Sequence, residues 1–576
     1  MMIWPSAFLV TVQFMFLCAL LSAAIGLPQA MMLWMLSQQR GVGRGQRLAG
    51  WGLSYSLLAA IACLATPLIL HAAAWEATAG KFGWTTFTQT GARDYSGWGG
   101  QYGGMVAALW VHGLFGSQIV ALLTFYGVRR VPQEISEQAA FDGGLLWRWW
   151  RVLLPIAMPW VCLGVLASAM LAATEMTVVD LYGVRTLADE FYLVHAAQPS
   201  LASITMLLVL PVTLLIVAAC LMLLRGRRVT SSLQGFVGQW SHSTERPHLA
   251  NEVHRQSVPP LSATHRGHSV SVAPLSRFAH LAVLCGAVLM ASISFTVPFL
   301  GLLVKAGQEV SVRAAPVNGD KRLASDEMNV AANQLPPNVS FQPQATAQPI
   351  VEVTWSAALC WQRLRGGLSD YWPEYQWSVL IGLAAAAFCV PIAWLMAAWT
   401  ADRPRCQLAM RCLTLLLFLI PGPLVGMVVV QWFNLSLPGF RTLYQETLIP
   451  TILGLSVRGI PLAYWILAAG YASLDGNVRE LLRSGGSRVA RFWWGDLRLL
   501  SKPLLIAVFV TAVATSGDVP VLKPVIPPSV PTVGIRLFGL LHSGVRDGEA
   551  TLAFWYIGSI VMMGILVVRV VRGRWS

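Results

Sequence analysis

Residues 137–155 read EQAAFDGGLLWRWWRVLLP, and the division of the whole chain follows from this stretch. It is polar, rich in Arg and Trp, and lies between two long apolar runs. It opens with Glu137 and closes with Arg148 and Arg151, the charge order that a helix dipole favours. Trp147, Trp149 and Trp150 are of the residue type that settles at a membrane–water boundary. The pattern predicts one polar helix over 129–151, lying on a membrane surface.

The stretch returns. Adding 343 to each position places Glu480 on Glu137, Gly486 on Gly143, Arg491 on Arg148 and Trp493 on Trp150. The same offset runs on without a gap from Glu175 to Asp518. A repeat of this length divides the chain into two related halves, each with one inner surface helix.

Of 576 residues, 56% are hydrophobic and 11% charged, against about 25% charged in a soluble domain. Eleven apolar runs stand out, near 7–27, 51–73, 104–127, 152–173, 201–224, 278–304, 377–398, 407–431, 449–471, 503–517 and 551–571. A bilayer core needs about 20 residues of helix, and the backbone in lipid must satisfy itself internally. The expected fold is an all-α polytopic membrane protein with about 11 transmembrane helices.

The net charge of +14 does not call for nucleic acid. With the Glu137 loop inside, alternation gives the inner segments 26 Lys/Arg and 9 Asp/Glu, and the outer ones 13 and 17. That is the positive-inside pattern. No Lys or Arg precedes Arg40, so the first run is expected to be a retained span with its N-terminus outside. The C-terminus, with Arg569, Arg572 and Arg574, then lies inside. Most of the nine Cys fall within apolar runs, which leaves no outer disulfide framework.

The expected organisation is a first half over 1–228, an inner linker over 229–276, an added span over 277–304, an outer segment over 305–376 and a second half over 377–576. The linker is rich in Ser, Pro and His, the composition of a disordered segment. Its histidines lack the tight spacing of a metal site, and no metal site is assigned. Residues 74–102 are expected as an outer loop. The acidic segment 174–200, with Glu175, Asp180, Asp189 and Glu190, forms either the mouth of a pathway or a solvated loop. After Asp518, five prolines between 520 and 531 argue against regular helix.

His112 and Arg458 sit in matching runs, within Val111-His112-Gly113 and Val457-Arg458-Gly459. An ionisable residue within a span faces protein or water, or snorkels to the headgroups. With Glu175 and Asp518, these two are the candidate pathway residues. No phosphate-binding loop, nucleophile elbow or zinc-protease motif occurs. No catalytic residue is assigned, and the chain is not expected to be an enzyme.

Residues 137–155 resemble the cytoplasmic loop of the membrane subunits of binding-protein-dependent ABC importers. That loop reads Glu-Ala-Ala, three residues, Gly, nine residues, Ile-x-Leu-Pro. Glu137, Ala139 and Gly143 match it, Ala140 opens its three-residue gap, Gln138 replaces its first Ala, and Pro155 comes one residue early. In the second copy Glu480 and Gly486 match, whereas Leu481 and Leu482 replace both Ala and Arg498 stands at the Pro155 position. Two fused halves resemble the ferric-iron and thiamine permeases, as do Glu175-Met-Thr-Val-Val-Asp180-Leu-Tyr-Gly183 and Val533-Gly-Ile-Arg-Leu-Phe538. Those permeases have six spans per half, whereas five plus six are expected here.

The resemblance implies a type I importer in a cell inner membrane. Its coupling loops dock on two copies of a cytoplasmic ATPase that holds Mg-ATP, and a periplasmic binding protein delivers the solute. Ferric iron is the expected cargo, with thiamine, polyamine and phosphonate as alternatives. A secondary transporter is the rival from another class. It is disfavoured, because such folds usually carry acidic residues or broken helices within the membrane and no Asp or Glu lies securely inside a span here.

Overall fold

In the computed structural model the described residues are 3–39, 44–80, 104–197, 277–313, 350–435, 437–474, 497–543 and 546–573, with isolated positions in 204–213 and at 478. They form an all-α polytopic membrane protein. Eight helices are long and apolar enough to cross a bilayer, and two bent pairs raise the number to ten. The run at 201–224 lies largely outside the described residues, as do the expected linker 229–276 and both Glu480 and Gly486 of the expected second coupling loop.

The chain opens with α1 (Ile3–Gln38) and α2 (Arg44–Ala65). Thr66 and Pro67 interrupt the second apolar run, and α3 (Leu68–Ala79) continues beyond them. Residues 74–79, expected to open an outer loop, are therefore helical, and 81–103 lie outside the described residues. Next come α4 (Met105–Arg129), the short α5 (Gln133–Asp142) and the long α6 (Leu145–Thr174). The polar helix expected over 129–151 is thus two pieces. Gly143 and Gly144 are extended, and Leu145 starts the helix that crosses the membrane.

The acidic segment is not a solvated loop. It folds into α7 (Thr177–Leu181) and α8 (Leu187–Ala197), with Glu175 and Asp189 buried. The added span is α9 (Phe278–Ala306). An antiparallel ladder follows, β1 (Gln308–Arg313) with β2 (Ile350–Trp355), pairing Gln308 with Trp355 and Arg313 with Ile350. It leads to α10 (Ala357–Asp370) and α11 (Trp372–Thr400).

The eighth run is broken as well. Ile420 and Pro421 separate α12 (Pro404–Leu419) from α13 (Gly422–Phe433), which meet at 88°. Then come α14 (Phe440–Glu446), α15 (Ile449–Ala472) and α16 (Ser501–Ser516). After Asp518 the chain is helical despite its prolines, in α17 (Val519–Val525), bent 62° from α16. Pro520 occupies the first turn, where a missing N–H breaks no bond, and Pro524 lies next to the end. The chain closes with α18 (Val533–Ser543) and α19 (Arg546–Gly573).

Two triads form the frame. Helices α1, α4 and α6 pack together, and so do α11, α15 and α16. Between the triads, α8 rests on α13 while α18 rests on α3. Close approach within the first triad depends on small residues, as expected where lipid provides no hydrophobic drive. A Cβ on Gly116 would collide with the hydroxyls of Ser22 and Ser168, which bond each other at 2.7 Å.

Helix α9 joins α1, α2, α3 and α19 through a polar seam. Gln118 Nε2 donates to Ser294 Oγ at 2.8 Å, and Gln29 Nε2 donates to Gln118 Oε1 at 2.8 Å. Tyr55 bonds Ser292 and Thr296 at 2.8 and 2.7 Å. These partners sit on a π turn at 292–296 just before Pro298, and α6 carries another at 149–153 just before Pro155. Each proline removes one N–H, and the wider turn relieves the ladder there.

The seam makes a prediction. Gln118→Leu strands the amide of Gln29, which is fully buried, and should destabilise the protein by about 1–3 kcal/mol. A Gln29→Leu/Gln118→Leu pair should recover most of that loss. Thermal unfolding in detergent checks both, and a double variant no better than the single one would refute the hydrogen-bond account.

Candidate functional site

Two places gather the residues singled out from the sequence. The first is the shoulder between α5 and α6, expected on the inner side. The Pro132 carbonyl accepts the Ser136 N–H at 3.2 Å and starts α5. Two extended glycines end it, and the Gly144 carbonyl accepts the Arg148 N–H at 3.0 Å to open α6. Gly143 has φ −176°, which any residue adopts. Its constraint is space, because a Cβ there would stand 2.9 Å from the Trp147 ring.

Arg148 is buried. It donates to the Ser136 carbonyl at 3.3 Å and lies 4.6 Å over the Trp34 ring. Trp149 is also buried, 5.8 Å from Trp34. Of the three tryptophans expected at the surface, only Trp147 and Trp150 are exposed, together with Phe141 and Leu146. Ala139 is buried, Glu137 half-buried and Pro155 exposed. Ala140 lies on the same helix.

The second place is a cavity of about 420 Å³ between the triads. Its walls are mainly apolar, among them Phe115, Met170, Phe418 and Leu462. Glu175, Arg458 and Asp518 also line it. Glu175 ends α6, and its carboxylate accepts the N–H groups of Thr177 at 2.7 Å and Val178 at 3.0 Å, as well as the Thr177 hydroxyl. His112 Nε2 lies 3.5 Å from the same carboxylate, and His112 Nδ1 bonds the Ala108 carbonyl at 3.0 Å. His112 is buried rather than snorkelling to headgroups.

Asp518 occupies the break between α16 and α17 and receives Arg458 Nη1 at 3.2 and 3.3 Å on its two oxygens. Each carboxylate thus stands where a helix is interrupted, and each is met by a basic side chain, His112 or Arg458, from an intact neighbouring helix. Charges in an apolar surround require such partners. The two carboxylates are 343 residues apart (518 − 175), and the two basic residues 346 (458 − 112). The arrangement can hold a small solute against polar side chains from both triads.

Sequence reasoning missed the other half of the cavity wall. Residues 64–69, at the break near Pro67, line it, as do Leu415, Phe418 and Leu419, ahead of the break at Pro421. The two prolines were the available signal. Outside the spans, burial and the nearby charge of Asp180 push the Asp189 carboxyl up to about 6, although Arg185 lies 3.2 Å away. Among the described residues no three His, Cys, Asp or Glu side chains converge on one point. No protein-family model matches the chain, and no curated protein matches it.

Two measurements follow. Arg458→Met leaves Asp518 buried without its cation and should cost about 2 kcal/mol, below the range for fully buried pairs because Arg458 is one-fifth exposed. Adding Asp518→Asn should restore part of that loss in thermal unfolding. Asp189 binds its proton more tightly when folded, so its contribution to stability falls as pH rises from about 4 to 6 and is level above. Asp189→Asn should therefore flatten the stability profile in that window relative to the parent protein. An unchanged slope would count against the buried carboxyl.

Proposed function

We propose that the chain is the membrane permease subunit of an ATP-driven, binding-protein-dependent ABC importer, built from two homologous halves of five and six spans. Mg-ATP is held by two cytoplasmic ATPase subunits, and a periplasmic binding protein supplies the solute at the outer face of a cell inner membrane. The observation that carries this reading is the central cavity, which Glu175 from the first triad and Asp518 from the second both line, Glu175 beside His112 and Asp518 paired with Arg458.

The order of elements supports two halves. Thr177 opens α7 and Val519 opens α17, 342 residues apart (519 − 177). Arg129 ends α4 and Ala472 ends α15, 343 apart (472 − 129). The shoulder supports coupling. It presents Phe141, Leu146, Trp147 and Trp150 to an ATPase cleft, and Arg148 ties α5 to the base of α6. Movement of the ATPase subunits then tilts α6 and opens one side of the cavity while closing the other, a two-state element biased by ATP.

Ferric iron is the cargo that the family likeness favours. The cavity favours the organic alternatives, thiamine among them. Apolar and aromatic walls with charged groups at one edge suit a small organic solute, whereas a hard cation needs several oxygen ligands. The 88° and 62° breaks and the buried carboxylates lend weight to a second reading, a secondary transporter.

Uptake by proteoliposomes holding the chain, its ATPase and its binding protein separates these readings. ATP-dependent accumulation of thiamine or iron, offered in parallel, identifies the cargo. Gly143→Asp, which crowds Trp147, and Glu137→Lys should abolish uptake while the protein inserts normally. Normal uptake by a well-expressed Gly143→Asp protein would refute the coupling role. Uptake driven by an ion gradient without ATP would select the secondary transporter.

A further inference from the structure

The outer helix α10 has three faces, and the function proposed above accounts for none of them. At about 100° per residue, Cys360, Leu364 and Gly367 share one face, and all three are buried. Roughly 100° round the helix lie Trp361, Arg365 and Leu368, all exposed. A further turn of similar size brings Gln362, Ser369 and Asp370, which are polar and also exposed, with the half-buried Gly366. A helix on a soluble surface needs two faces, one buried and one wet. Three sectors match a helix with protein on one side, water on another and lipid between them.

The contacts of the buried face fix its depth. Cys360 Sγ lies 3.4 Å from the Leu303 carbonyl, inside the end of α9 at Ala306. Trp555 Nε1 donates to the Leu364 carbonyl at 2.8 Å, well inside the start of α19. Helix α10 therefore packs against the flanks of spanning helices rather than over their tips. It also runs directly into the span α11, whose first residue, Trp372, is exposed, as is Trp355 just before α10. Trp355 is held by a bond from Nε1 to the Val304 carbonyl at 3.1 Å.

We infer that α10 is an in-plane anchor in the outer leaflet. Trp361 and Leu368 enter the boundary between acyl chains and headgroups, Trp355 and Trp372 flank them, and Arg365 meets lipid phosphate. Exposed tryptophans at this depth match the aromatic belt of membrane proteins, and a single Arg on an apolar stripe reaches a phosphate while its stem stays in the apolar layer. The inference rests on the membrane-spanning fold and is independent of the ABC reading.

Spin labels placed singly at 361, 362, 366 and 368, in full-length protein whose native Cys have been replaced, test it in phosphatidylglycerol–phosphatidylethanolamine liposomes. The ratio of oxygen to nickel-chelate collisions should be several-fold higher at 361 and 368 than at 362 and 366. Equal ratios at all four positions would place the stripe in water and overturn the anchor, whatever the uptake assays report. A second readout keeps the test open if a label disturbs folding. Trp361→Phe protein should keep the stability of the parent in these liposomes, whereas Trp361→Asp should lose it there but much less in detergent. Equal loss in both media would also overturn the anchor.

Discussion

A backbone group that leaves its helix inside a bilayer must find another partner within the protein, and the centre of this molecule is organised by that requirement. Four breaks occur in or beside the spans, at Pro67, after Thr174, at Pro421 and after Ser516. All four border the same cavity. At one of them a carboxylate takes up freed N–H groups directly, since Glu175 accepts from Thr177 and Val178. Lipid-exposed irregular backbone is excluded at this depth, whereas backbone that lines a cavity is tolerated. The breaks thus converge where protein from both triads can shelter them.

The same constraint explains the partners of the carboxylates. A carboxylate recruited to cap a short helix brings a negative charge into an apolar place, and that charge then needs a partner. His112 and Arg458 come from α4 and α15, which are unbroken and hold their positions. One pair can be understood as local repair. Two pairs, with both carboxylates on one cavity, tie the triads to a common centre, and the exchange of α8 onto α13 and α18 onto α3 closes the frame around it.

Much of this was legible in the residues. Long apolar runs specify spanning helices with no further information. His112, Arg458, Glu175 and Asp518 stood out because charge is scarce in such runs. The partnerships were not legible, since they join residues 63 and 60 positions apart in sequence through helix packing (175 − 112; 518 − 458). Helices α7 and α17 were also hidden. With five and seven residues they are too short to show periodicity, and the prolines of α17 argue against helix unless their place in the first and last turns is known. Gly143 and Gly144 split the expected surface helix for the opposite reason, because two adjacent glycines carry more weight as a break than the charge pattern carries as a continuity.

The length of α6 has a mechanical meaning. It runs 30 residues without interruption from the shoulder to the edge of Glu175, about 45 Å of nearly rigid rod. Such a rod is a lever. Rotating it by about 5° at its base displaces the far end by about 4 Å, comparable with the 3.5 Å that separates Glu175 from His112. A small rotation at the shoulder is thus large enough to break or make the contact at the other end.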